Sequence, residues 1–176
     1  DEVAYLRGLS RMSPEKLDFN PHFFRWGTGH FYELGVVIGA AKILGIVKLC
    51  KDKDFYYKYP EESAKIYLAG RFLSVFFALA TIFLLYLLGK KIFNGQAGLL
   101  AGFLLAISPA HIVHSHYLKA DTSVTFWLTS LLLFSIYLCE TPKLKWYFWA
   151  GLTLAAAISS QYSGVCFVFV PLFAQI

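Results

Sequence analysis

Asp1 and Glu2 open the chain as adjacent carboxylates. An acid at the edge of water can take a proton from a nucleophile or bind a divalent cation such as Mg or Mn. The plainer alternative is two solvated loop acids, or acids favoured by the positive end of a helix. Arg71 sits just inside a long apolar run. There it either snorkels to the interface or presents a planar fork that grips a phosphate. Asp121 starts another apolar run two residues after Lys119. It either caps a helix or adds an acid facing the first loop. His111, His114 and His116 are spaced so that all three cannot share one helical face, which favours a single histidine on a phosphate over a metal trio. Ser159, Ser160 and Gln161 form a polar patch in the last apolar run and read as interhelical hydrogen bonding.

These residues need elements to hold them, and composition says which. The chain is 57% hydrophobic and only 15% charged, against about a quarter charged in soluble domains. The apolar residues gather into long runs, the pattern a bilayer demands. The expected architecture is an all-α, polytopic transmembrane bundle. An outer loop covers residues 1–66, and spanning helices run over about 67–88, 97–117, 122–139 and 146–170. The run over 30–49 is interrupted by Glu33, Lys42 and Lys48. A span would bury Lys42 near mid-membrane, so an interfacial helix is expected there. The chain starts at Asp1 and stops inside an apolar run, and it reads as the N-terminal part of one transmembrane domain in a longer protein.

Loop charge orients the bundle. Lys90 and Lys91 lie two spans away from Lys143 and Lys145, so the two pairs share a side, and the positive-inside rule makes that side cytoplasmic. Residues 1–29 and 119–121 then lie on the outer or luminal side, together with Arg71, His30 and His116. The formal net charge of +5 belongs to this topology and to phosphate contact. No nucleic-acid motif is present and no nucleic-acid partner is expected. Cys50, Cys139 and Cys166 are far apart and form neither a CxxC pair nor a metal spacing.

The order of these features resembles the membrane glycosyltransferases that use a polyprenyl-phosphate sugar donor: the dolichyl-phosphate-mannose–protein mannosyltransferases and the aminoarabinose transferases, of GT-C architecture. Asp1-Glu2 matches the acidic pair of the family's first outer loop. Asn20-Pro21-His22-Phe23-Phe24-Arg25-Trp26 and His30-Phe31-Tyr32 are similar to the aromatic segment that follows. Ala69-Gly70-Arg71-Phe72-Leu73-Ser74 matches the next motif, and the run from Tyr86 to Gly95 resembles a short cytoplasmic turn. Ser108-Pro109, His116-Tyr117 and Asp121 resemble the next outer turn. The segment from Gly151 to Gly164 looks like a family stretch that often carries Lys where this chain has Gln161.

The resemblance implies an inverting transferase that moves a sugar from a polyprenyl phosphate to a protein, lipid or glycan acceptor. It implies Asp1 as general base or cation ligand, supported by Glu2. Arg71, with His116 or His30, would stabilise the leaving phosphate, and Asp121 would orient the acceptor or share the acidic site. The enzyme would sit in the cell membrane of a prokaryote or the endoplasmic reticulum of a eukaryote, with its active face outside or luminal. Two other readings stand beside this one: a transporter or flippase for a lipid-linked substrate, and a non-catalytic membrane scaffold. Transport would place acids and arginine deep within spans, whereas here they cluster at span ends beside a long loop.

Overall fold

The computed structural model describes residues 2–13, 16–50 and 53–174, and its regular elements are all helical. The outer loop contains α1 (Glu2–Arg11), α2 (Gly29–Ile43) and the short α3 (Lys53–Lys58). Then come α4 (Pro60–Ile92), α5 (Gly95–Ala106), α6 (Pro109–Ser115), α7 (Asp121–Glu140) and α8 (Leu144–Ser160). A 3-10 stretch (Tyr162–Val168) leads into α9 (Phe169–Phe173). Asp1 lies outside the described residues.

The 33 residues of α4 begin with Pro60 in the first turn, followed by Glu61 and Glu62, and end with Lys90 and Lys91. Pro fits where no intrahelical N–H bond is required, and acids first with lysines last complement the helix dipole. Arg71 and Lys90 are separated by about 28 Å of helix, close to the ~30 Å hydrocarbon thickness. The apolar stretch between them is long enough to cross a membrane. The loop expected over 1–66 ends sooner, because residues 60–66 already belong to α4. Its last residues are helical, and buried Glu62 accepts the Lys48 N–H (2.9 Å) and a Lys65 ammonium hydrogen (2.7 Å).

Two helices, α4 and α7, are long and apolar enough to cross a bilayer, or three spans if α5 and α6 form one bent crossing. The span expected over 97–117, with its break at Ser108-Pro109, is bent by 62° between α5 and α6. Ser108 is extended (ψ 120°) and Pro109 starts α6. A residue before proline is pushed out of the helical region, and proline cannot donate to the preceding turn. The start of α5 is fixed by Asn94, whose side chain accepts the Ala97 N–H at 2.9 Å.

The expected fourth crossing over 146–170 is not one helix. α8 stops at Ser160, Gln161 is extended (φ −155°, ψ 130°), and the chain folds back. A Cβ on Gly164 would come within 2.9 Å of the Ala157 carbonyl carbon. The Ser159 hydroxyl donates to the Ala156 carbonyl (2.9 Å) and competes with the helical ladder at this point, and Gly164 permits the close return.

α2 has 15 residues, about 22 Å of helix, too short to cross the hydrocarbon. Its end is a Schellman closure: Gly45 (φ +72°) donates to the Lys42 carbonyl, and Ile46 to that of Ala41. Glycine suits that left-handed position because it has no Cβ to clash.

At one end of the bundle Lys91 pairs with Glu140, and Tyr137 stacks on Trp146 at 4.5 Å. The other end carries the outer loop, whose core of Tyr5, Phe31, Leu34, Leu73, Phe77 and Leu118 lies across α4 and α7. Between the ends, α4 and α5 touch through glycines, and a Cβ on Gly98 would sit 2.5 Å from the Tyr86 carbonyl oxygen. Gly98→Val is expected to destabilise the bundle by about 1–3 kcal/mol, seen as a lower midpoint of thermal unfolding in detergent. Gly151→Ala meets nothing within 4 Å and should leave the midpoint unchanged.

Candidate active site at one end of the bundle

Glu2 joins three elements. Arg71 on α4 donates from Nε to its Oε1 (3.1 Å) and from Nη2 to its Oε2 (2.9 Å). The Leu118 N–H, in the turn before α7, donates to Oε1 at 2.8 Å. Two parallel charge-assisted bonds give the pair directional strength that a point-charge contact lacks. The turn before α7 and α2 can close on α4 because Gly70 carries no side chain: a Cβ there would meet the Leu118 Cδ1 at 2.2 Å and the Leu34 Cδ1 at 3.0 Å.

The Arg71 hydrogen bond, ahead of partial burial, which opposes it, and of the Leu118 N–H, holds the Glu2 carboxyl below its ordinary value of 4.5. Its folded value is thus the lower one. The stabilisation is complete above the ordinary carboxylate range and disappears as pH falls through the folded value. Thermal stability should drop on acidification below about pH 4.5, and Glu2→Gln should flatten that part of the profile.

Asp121 lies in the first turn of α7, not at its cap, which is Ala120. Its Oδ2 is 3.0 Å from His114 Nδ1, both side chains being partly exposed. His116 is exposed, and its Nδ1 lies 2.7 Å from the Ile112 carbonyl of its own helix. His111 Nε2 reaches the Ala78 carbonyl at 3.2 Å and ties α6 to α4. The three histidines thus have separate partners. His30 is away from Arg71. Its ring is 1% exposed, and Nδ1 lies 3.0 Å from Glu33 Oε2. Ser159 and Ser160 lie under the loop: a Cβ on Gly27 would sit 2.0 Å from the Ser159 carbonyl oxygen. So the end of α8 belongs to the same face as Glu2, Arg71 and Asp121.

Glu33 was legible in the sequence only as an interruption of an apolar run. In the fold it accepts Ser123 Oγ–H (2.6 Å) and Trp127 Nε1–H (2.8 Å) from α7, besides meeting His30. Tyr5 is also buried here. Burial, with the Asp121 and Glu33 charges nearby, pushes its phenol up to about 12. The available signal was the cost of a carboxylate among apolar residues, which demands donors.

Among the described residues no three His, Cys, Asp or Glu side chains converge as a metal site. Glu2 is committed to Arg71 and Leu118, and Asp121 to His114. These acids do not form a cation cage by themselves, and Asp1 lies outside the described residues.

Helices that cross a membrane, with an arginine fork and acids gathered at one end under a packed loop, define an integral membrane protein with charged chemistry at one end of the bundle. Residues 65–176, more than half of the chain, match the model of the dolichyl-phosphate-mannose-protein mannosyltransferase family, and the chain belongs to that family of glycosyltransferases. The acidic pair and most of the outer loop precede the matched stretch. No curated protein and no solved structure matches the chain.

Proposed function

We propose that this protein is an inverting glycosyltransferase that takes a sugar from a polyprenyl phosphate at the outer or luminal membrane face. The observation that carries this reading is Arg71 at the hydrocarbon boundary, half exposed and aligned by Glu2. Glu2 occupies Nε and one direction of Nη2, which leaves guanidinium hydrogens for a phosphate. A shallow groove of about 440 Å³, lined by Ala64, Lys65, Tyr67 and Leu68, opens beside Arg71.

In the transfer, Asp1 accepts the proton of the acceptor nucleophile. The freed oxygen bonds to the anomeric carbon from the face opposite the phosphate, which inverts its configuration. The anomeric carbon–oxygen bond breaks, and its electron pair leaves on the polyprenyl phosphate, whose charge Arg71 stabilises. A phosphate is already a competent leaving group, so positioning and charge stabilisation supply most of the rate. Asp121 orients the acceptor.

This orientation requires residues 1–29 and 119–121 outside and Lys90–Gly95 inside. Single-cysteine variants at positions 10 and 92, labelled by an impermeant maleimide in sealed vesicles, should react from opposite sides. Labelling of both from one side would reverse the proposed face. For the activity itself, the full-length protein is incubated with a panel of radiolabelled polyprenyl-phosphate sugars and candidate acceptors. Supporting the reading requires label to pass to an acceptor from at least one donor, and label confined to the lipid fraction across the panel would oppose it.

A further inference from the structure

The segment around Asp121 is held by groups that precede α4. Glu2 takes the Leu118 N–H, and Glu33 takes side-chain donors from Ser123 and Trp127. The contacts fall before and after Asp121, on both sides of the start of α7. Of these groups Glu33 has the most to do. It lies on α2, it is mostly covered, and its two oxygens receive three side-chain donors. A carboxylate only accepts, so His30 Nδ1 is the protonated ring nitrogen in that contact. His30 Nε2 is buried with no hydrogen-bond partner among the described residues. His30 therefore cannot anchor α2 through that nitrogen, and its one polar link runs through Glu33.

We propose that Glu33 is a positioning residue for the acceptor half of the reaction: it fixes the first two turns of α7 against α2 and thereby sets where Asp121 stands. This rests on the reading of Asp121 as the group that orients the acceptor. Removing the carboxylate leaves the Trp127 indole N–H and the Ser123 hydroxyl without acceptors in a mostly buried seam, where unpaired donors are costly. The start of α7 then shifts to find water or other partners, and Asp121 moves with it. Arg71 is held separately through Glu2, so the donor side is unaffected.

The test is a double-mutant cycle on the full-length protein, with a radiolabelled polyprenyl-phosphate mannose as donor and a peptide rich in Ser and Thr as acceptor. Folded protein is quantified by its thermal transition in detergent, and rates are expressed per folded molecule. Glu33→Ala should raise the acceptor KM by about tenfold, the scale of losing one buried charge-assisted hydrogen bond, and leave the donor KM within about twofold. Glu33→Gln keeps an acceptor oxygen for Trp127 and should recover much of the loss. On an Asp121→Asn background, Glu33→Ala should add little, because the two changes act through one group.

A merely structural role would lower the folded fraction and leave both KM values normal, which overturns the proposal. Additive effects, or an acceptor KM that responds to Asp121→Asn and ignores Glu33→Ala, overturn it as well. An acceptor KM that ignores Asp121→Asn defeats the reading of Asp121, and with it this inference. If Glu33→Ala does not accumulate, Trp127→Phe removes one donor and keeps the ring packing, and the same cycle decides with that variant.

Discussion

Arg71→Ala is expected to lower sugar transfer by about a hundredfold to a thousandfold, the range for losing a donor aimed at developing negative charge. In the proposed transfer the fork meets the phosphate as the anomeric bond breaks, so the loss should appear in kcat more than in donor KM. The substitution also strands Glu2, a mostly covered carboxylate that now holds only the Leu118 N–H. Two companions separate these effects. Arg71→Lys keeps the charge and loses the bidentate geometry, and it should recover only part of the rate. Glu2→Gln keeps an acceptor for Arg71 and Leu118 while removing the ion pair, and it should cost far less than Arg71→Ala. Equal losses in Arg71→Ala and Glu2→Gln would mean that the pair matters for folding and not for phosphate. Glu61→Gln, an exposed position near the start of α4, should leave turnover near normal.

Asp1→Asn should cost about a hundredfold to ten-thousandfold, the usual contribution of a positioned base. Asn keeps the shape and cannot take the acceptor proton. The thermal transition should move little, because Glu2 and Glu33 anchor the segment before α4. Rates measured with increasing pH should show the variant without the limb that the wild type shows as its base ionises. Normal turnover in Asp1→Asn would remove the base from the mechanism and leave proton acceptance to another group on the face.

The helical class was legible because long apolar runs leave a chain few alternatives in a bilayer. The ends of α7 were legible for the same reason, since acids mark them, whereas α4 starts at Pro60, ahead of the expected 67, because its first turns are polar. The break at Ser108-Pro109 was visible as a proline, but the 62° bend depends on how α6 packs against α4 and α7, as through His111 on the Ala78 carbonyl. The return at Gln161 was hidden, because hydrophobicity continues through Tyr162–Phe173 and only the close approach of Gly164 to Ala157 reveals the turn. Arg71 and Asp121 could be singled out because charge at a span edge is costly unless it is used. Glu33 could be noticed as an acid in an apolar run, but its donors lie 90 and 94 residues away, and no spacing rule reaches that far. For His30 the family resemblance implied a phosphate contact, and in the fold its Nδ1 meets the Glu33 carboxylate.

The central claim is that the outer end of this bundle transfers sugar from a polyprenyl phosphate and does not move the lipid itself. One measurement addresses both halves. The full-length protein is reconstituted into sealed vesicles with radiolabelled polyprenyl-phosphate mannose, acceptor peptide is supplied on one side, and label is followed in the peptide and in each leaflet. The expected result is peptide labelling only when donor and acceptor share the face of residues 1–29, with about a hundredfold less in Arg71→Ala. Label that crosses between leaflets in an Arg71-dependent way, with none reaching the peptide, would contradict transfer and make this a transporter of the lipid-linked sugar.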